Sequence, residues 1–259
     1  DVACNVPTVV YRHENCCKPE YCGVGAIGSG GILQGAEALS EEITERFFSG
    51  SPRVVTIKNN QIPESDVPRI ILFFPQPCQL GYLLHGAFPL ESLLEKSAEE
   101  LIDVAIEELK KAGFPEIIQQ LAALSTPELM IQRPYYTHHA TVSAPGRPKW
   151  NRGRVLLAGD AAHGMPPFIG QGGNQGLEDA AAIATLVAEI NKQNQWDDIT
   201  AIEAAFSKYE ALRRPFVTYI QQETLIARYF SSDQGFQKLQ EYNQAVFSRN
   251  IEEIIQTFF

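Results

Sequence analysis

Val155-Leu156-Leu157-Ala158-Gly159-Asp160-Ala161-Ala162-His163-Gly164-Met165-Pro166-Pro167-Phe168-Ile169-Gly170-Gln171-Gly172-Gly173-Asn174-Gln175-Gly176-Leu177-Glu178-Asp179-Ala180 is the passage on which the fold turns. Its first four residues are a continuous apolar run, the pattern of a strand buried on both faces. The run ends in Gly159-Asp160, which sets a carboxylate at the carboxyl edge of a sheet, where ligands of α/β folds collect. Gly170, Gly172, Gly173 and Gly176 let backbone approach a ligand closely, and the helix they open offers its first amides and its dipole to an electron-rich group. Asp160 suits a hydroxyl donor, such as a ribose or ribitol OH, better than a phosphate, which it would repel. A polar, partly anionic cofactor satisfies both halves.

Working outward, Leu177 to Ile190 has helical periodicity. Two more long helices are expected over Ile199 to Phe230 and Gly235 to Phe258, the first kinked or interrupted at Pro215. Upstream, Val54-Val55-Thr56-Ile57, Ile70-Ile71-Leu72-Phe73-Phe74 and Leu80 to Phe88 are short apolar runs broken by Gly and Pro, which predicts a mostly antiparallel sheet. Ser97-Ala98-Glu99-Glu100 is a capping box, and Leu101, Ala105 and Leu109 behind it share one helical face. Gly113 and Pro115 end that helix. A second spans Glu116 to Leu124, and Glu128 to Thr137 returns to strand patterning. The whole reads as an α/β (α+β) chain in three parts: a sheet domain over 1–150, the segment 151–195 carrying the quoted motif, and C-terminal helices over 196–259.

Composition narrows the classes. The 259 residues carry Lys+Arg 21 against Asp+Glu 31, a formal charge of -10. That balance gives no footing for nucleic acid, which needs clustered Lys and Arg. No apolar run approaches the roughly 18–20 residues of a membrane span, so a cytoplasmic protein is expected. The five cysteines (Cys4, Cys16, Cys17, Cys22 and Cys78) show neither paired C-x2-C spacing nor an even framework, and reduced thiols without a metal are expected. Oligomeric state is not written in the chain.

The order of Gly, Asp, Pro-Pro, Gly-Gln-Gly, Asn and Glu-Asp-Ala from Gly159 to Ala180 resembles the flavin motif of the class A flavoprotein monooxygenases, the family of para-hydroxybenzoate and salicylate hydroxylases. Tyr209-Glu210-Ala211-Leu212-Arg213-Arg214-Pro215 is similar to a run on the helix after that motif. Tyr21-Cys22-Gly23 and Trp150-x-x-Gly153-Arg154 resemble other stretches of the family more weakly. The resemblance implies FAD as cofactor, with Asp160 at its ribitol, Pro166 and Pro167 beside the isoalloxazine, and the Gly173 and Asn174 amides at the C2 oxygen; Gly159, Gly170 and Gly172 complete the expected cofactor-binding set. It implies hydroxylation or epoxidation of a small aromatic or unsaturated substrate with NAD(P)H and O2, through a flavin C4a-hydroperoxide. No side-chain nucleophile is needed. Two other readings stand beside it: a related flavin-dependent reductase or halogenase, and a non-catalytic remnant that binds a hydrophobic ligand or partner. The family begins with a G-x-G-x-x-G turn for the ADP half of FAD and later carries an Asp-Gly motif. Neither is found here, so the chain is expected to be the C-terminal portion of a longer flavoprotein.

Gly23-Val24-Gly25-Ala26-Ile27-Gly28 satisfies G-x-G-x-x-G as a string. A dinucleotide fingerprint needs a buried strand before it and a helix opening on its last glycine. Lys18-Pro19-Glu20 precedes it and Ser29-Gly30-Gly31 follows, so it reads as a glycine-rich strand. His163 is expected to support its turn rather than move protons, and His138-His139 lack ligand spacing to any third group. Of Arg133, Tyr135 and Tyr136, alternation lets only part face a substrate cavity. Arg213 and Arg214 are expected as helix-surface partners of carboxylates.

Overall fold

The computed structural model describes residues 19–31, 55–58, 69–76, 79–140, 149–227 and 233–258. The chain divides into two compact units, Gly23–Tyr135 and a second made of Asp1–Cys22 with Tyr136–Phe259.

The Gly23–Tyr135 unit is built on a five-stranded sheet. Its strands are β1 (Glu20–Ser29), β2 (Val55–Lys58), β3 (Ile70–Gln76), β4 (Gln79–Ala87) and β5 (Met130–Thr137), in the order β2-β3-β4-β1-β5. The pairs β2–β3, β3–β4 and β1–β4 are antiparallel, with Ala26 opposite His85 and Ile71 opposite Leu84. The three apolar runs predicted as strands are strands, each within one or two residues of its expected bounds. Period-2 alternation sends Ile71, Phe73, Tyr82 and Leu84 to one buried face.

The Gly23 to Gly28 string lies in β1. Two of its glycines answer to packing: a Cβ at Gly28 would stand 2.1 Å from the Tyr82 carbonyl oxygen, and one at Gly25 would stand 2.9 Å from the Arg133 carbonyl oxygen, while Gly23 takes φ +74. Strands this close leave no room for a side chain, which is the requirement that wrote glycine there.

Helices α1 (Glu91–Leu94), α2 (Ala98–Lys111) and α3 (Glu116–Ala123) follow β4. Ser97 and Glu100 close the reciprocal capping box, and Leu101, Ala105 and Leu109 are buried. Glu99 and Glu100 open α2 while Lys110 and Lys111 end it, both signs favourable to the helix dipole. Gly113, at φ +70, turns the chain after it.

In the second unit, β6 (Asn151–Arg152) and β7 (Val155–Leu156) form a two-residue antiparallel ladder. Short α4 (Asp160–His163) and the longer α5 (Gly172–Lys192), α6 (Ile199–Ala227), α7 (Asp233–Phe247) and α8 (Ile251–Phe258) complete it. Trp150, Leu157, Ala162, Ala182, Leu186, Tyr209, Val217 and Ile255 share one buried cluster.

Three expectations are corrected here. Val155 to Ala158 is not a strand buried on both faces: only Val155–Leu156 is extended, Val155 is 42% exposed, and Leu157 alone is fully buried, with Leu156 and Ala158 partly buried against the same core. Of the kink or interruption expected at Pro215, the interruption does not occur: Pro215 lies inside a continuous α6. It sits on the exposed side, where water can take the carbonyl bond the ring abolishes, while Arg213 and Arg214 anchor the buried side. The helix expected over Gly235 to Phe258 is two helices, because Asn250 accepts from the Glu253 N–H and caps a fresh start. Among the described residues no helix is long and apolar enough to cross a membrane. Cys22 is half-buried in β1, and the other four cysteines lie outside the described residues.

Candidate functional site: the loop and helix terminus around Asp160

Gly159 takes φ +55 and ψ −141, a backbone conformation that side chains rarely adopt. That bend delivers Asp160 to the start of α4 with an exposed side chain, and no described residue hydrogen-bonds its carboxylate. Across from it, α5 opens on Gly172, Gly173 and Asn174. A Cβ on Gly172 would stand 3.9 Å from Asp160 Oδ1, so the carboxylate and the first turn of α5 are neighbours.

No side chain caps that turn, no acidic residue lies in it, and its first backbone bond is from the Gln175 N–H to the Gln171 carbonyl. The amides before Gln175 are therefore open donors at the positive end of a 21-residue helix. Gly173 and Asn174 are exposed, and nothing lies within 4 Å of a Cβ built on Gly173. The connecting loop buries Pro166, exposes Pro167, and turns at Gly170, whose φ is +64 and whose N–H donates to the Pro167 carbonyl.

Beneath this surface lies a network of charges that sequence reasoning did not assign. Asp179 Oδ2 accepts from the Gly159 N–H at 2.7 Å and faces His163 Nε2 at 2.6 Å. Its Oδ1 takes Arg213 Nε at 2.8 Å. Arg213 Nη2 donates to Gln175 Oε1 at 2.8 Å, and Nη1 pairs with Glu178, which Arg249 also holds at 2.9 Å. Burial pushes the Asp179 carboxyl up, but the hydrogen bond and charge of His163, followed by Arg213, outweigh it and hold it below the usual carboxylate range. Burial lowers the His138 imidazole, while the Asp160 charge opposes that shift; the backbone N–H of His138 donates to the Gly164 carbonyl.

Arg213 and Arg214 are not on the helix surface, as the sequence led one to expect; both are essentially fully buried. Arg214 donates to Glu210 Oε1 at 3.0 Å and lies over the Trp150 ring at 4.4 Å. Hydrogen bonds to carboxylates at both guanidiniums, with the Trp150 ring against Arg214, offset the desolvation that would otherwise forbid burial. The side chain of Gln221 reaches from α6 to accept from the Ala140 N–H and donate to the His163 and Gly164 carbonyls, holding the far side of the Asp160 turn.

The signal for this network was present in the spacing. The buried face of α5 runs Gln175, Asp179, Ala182, Leu186, Ile190, so two polar residues occupy core positions at its start. His163 supports the turn, as expected. His139 instead faces Glu20 at 2.9 Å, and among the described residues no group of His, Cys, Asp and Glu could hold a metal. Tyr135 Oη is 2.9 Å from His85 Nδ1, Tyr136 packs edge-on against Tyr21, and Arg133 is exposed.

A protein-family model described as an FAD binding domain matches residues 103–224. The FAD-dependent monooxygenase penM of Penicillium crustosum is 42% identical over 72 residues, covering 27% of this chain and 16% of that protein. The 4-methyl-5-nitrocatechol 5-monooxygenase of a Burkholderia species is 35% identical over 123 residues, covering 47% and 19%. Among solved structures, CtdE in complex with FAD and a substrate superposes with a TM-score of 0.68 at 15% identity, over 94% of this chain and 57% of that one. Klebsiella pneumoniae HpxO complexed with FAD and uric acid gives 0.56 at 20% identity, over 98% and 55%. The chain thus spans little more than half the length of these structures, and its matched stretches less than a quarter of the curated relatives.

Proposed function

We propose that this chain belongs to the class A flavoprotein monooxygenases, a reading supported by the FAD binding domain match and the monooxygenase relatives, and that it holds the ribitol and ring half of FAD at the Asp160 turn and the α5 terminus. We infer that it serves an enzyme hydroxylating or epoxidising a small aromatic or unsaturated molecule with NAD(P)H and O2.

One observation carries this reading. A 21-residue helix begins without a cap, its open amides lying beside a carboxylate that no described residue engages. These donors and the acceptor are exposed on adjacent surfaces, free to serve a ligand that offers partners to both. The residues fit FAD: Asp160 accepts from ribitol hydroxyls, and the Gly173 and Asn174 amides suit a carbonyl oxygen that gains negative charge. Space is open at Gly173, where a side chain would stand in the ligand's path. Gly159 and Gly170 supply the bends, and Pro166 and Pro167 give the loop between them a stiff apolar edge.

FAD, when bound, supplies the electron transfer from NAD(P)H and the reaction with O2. The residues of the chain orient and stabilise: the helix-terminus amides favour a charged over a neutral ring, and the loop limits water at its edge. A small aromatic substrate is supported by relatives named for nitrocatechol and hydroxyphenylpropionate.

The test is Asp160→Ala in the full-length protein, stripped of FAD and titrated with it by fluorescence. Loss of a charge-assisted acceptor worth about 1.5–3 kcal/mol should weaken binding by roughly ten- to a hundredfold. Unchanged affinity would remove the ribitol assignment.

A further inference from the structure

The four-residue helix that presents Asp160 is too short to hold itself, since a single turn does not repay its own nucleation. Its two ends converge on one buried atom. Asp179 Oδ2 accepts from the Gly159 N–H immediately before Asp160 and faces Nε2 of His163 at the turn's last residue. Asp179 belongs to α5, two turns beyond the open amides, and Arg213 fixes its other oxygen. The carboxylate therefore ties the Asp160 turn to the helix whose terminus faces the same ligand. His163 Nδ1 is buried without a hydrogen-bond partner, so among the described residues the ring's one polar tie is to Asp179.

We propose that Asp179 and His163 are positioning residues for FAD, setting the distance between the Asp160 carboxylate and the α5 amides. This rests on the reading of Asp160 as the ribitol acceptor. A misplacement of about an ångström is enough to spoil a constellation of this kind, and neither residue needs to touch the cofactor for its loss to be felt. Arg213 balances the Asp179 charge, which keeps the carboxylate able to accept from three donors at once.

A packing role and a positioning role part ways in a double-mutant cycle. The full-length protein is titrated with FAD, and the visible circular dichroism of the bound flavin is recorded. His163→Phe keeps a ring beside Trp150 and removes the donor; His163→Gln retains an N–H that can reach Asp179. His163→Phe is expected to raise the FAD dissociation constant about tenfold and change the flavin dichroism, with His163→Gln recovering most of both. Adding Asp160→Ala to His163→Phe should weaken binding by no more than about twofold beyond Asp160→Ala alone, because the positioned group is already gone.

Full additivity, or a His163→Gln protein no better than His163→Phe, overturns the positioning role while leaving the ribitol assignment standing. An Asp160→Ala protein with undiminished affinity overturns both. If His163→Phe does not fold, His163→Leu enters the same cycle with the same criteria.

Discussion

Two glycine-rich stretches, Gly23 to Gly28 and Gly170 to Gly176, both look like ligand loops on paper, and the structure uses glycine for opposite ends. In the first, a Cβ at Gly28 would meet the Tyr82 carbonyl oxygen at 2.1 Å and the Leu83 Cα at 3.0 Å. In the second, a Cβ at Gly173 or Gly176 would meet nothing within 4 Å. Gly25 and Gly28 in β1 let neighbouring chain close in, and glycine at the start of α5 keeps space open. A glycine pattern therefore identifies a binding loop only together with the element it opens: the first stretch stays a strand, while the second begins a helix with unpaired donors.

The largest effect should come from filling the closed space. Gly28→Val places a branched side chain against backbone that cannot turn away, and overpacking of this severity exceeds the 1–3 kcal/mol of ordinary core crowding. The expected loss is more than about 4 kcal/mol, a large share of a domain's stability, and thermal unfolding or expression yield reads it. A stable Gly28→Val protein would show that β1 and β4 can separate and that the first stretch is not closed.

A smaller effect concerns the cross-strand neighbour of Ala26. Burial pushes His85 down to about 4 from an ordinary value near 6.5, because a charged imidazole in this sheet would lack water. The folded-state value lies below the unfolded one, so the unfolded chain binds the proton first as pH falls. Stability is complete above about pH 6.5 and declines through the window down to about 4, by on the order of 3 kcal/mol at roughly 1.4 kcal/mol per unit. His85→Leu should flatten that limb of the denaturant midpoint against pH. An unchanged slope would mean that His85 is more solvated than its packing against β1 implies.

The part of the fold carried by local pattern was legible: the strands over Ile70 to Phe74 and Leu80 to Phe88, the Ser97 capping box, and the glycine-rich strand all follow from spacing within a few residues. The positions of Asp160 and Gly173 at one surface were legible too, because a strand end and a helix start are both local. What was not legible depends on residues distant in sequence. Arg213 is buried only because Asp179 and Gln175, more than thirty positions earlier, line the opposite helix face. Nothing within a window around Arg213-Arg214-Pro215 distinguishes that from a solvated pair. Val155 failed for a related reason: an apolar run states that burial is possible, and only its partners decide on which faces it occurs.

The smallest predicted effect addresses the open space directly. Gly173 is the second residue of α5 with an unstrained backbone, so Val can be built there without collision. Near a helix start, replacing Gly by Val should leave the stability of the unliganded protein within about 0.5 kcal/mol, since glycine is itself a poor helix former. The side chain would nevertheless stand before the amides assigned to the flavin C2 oxygen. FAD affinity is expected to fall about tenfold, which corresponds to 1.4 kcal/mol. Gly176→Ala is the control: it lies a turn further along the same helix, also with free space, and should gain roughly 0.5–1 kcal/mol of stability while leaving FAD affinity alone. If Gly173→Val lowers the melting temperature and spares FAD binding, the second stretch is a helix turn and no more, and the contrast with β1 loses its functional meaning. If both substitutions weaken FAD, the open surface is wider than one turn, and the ligand extends past Gln175 along α5.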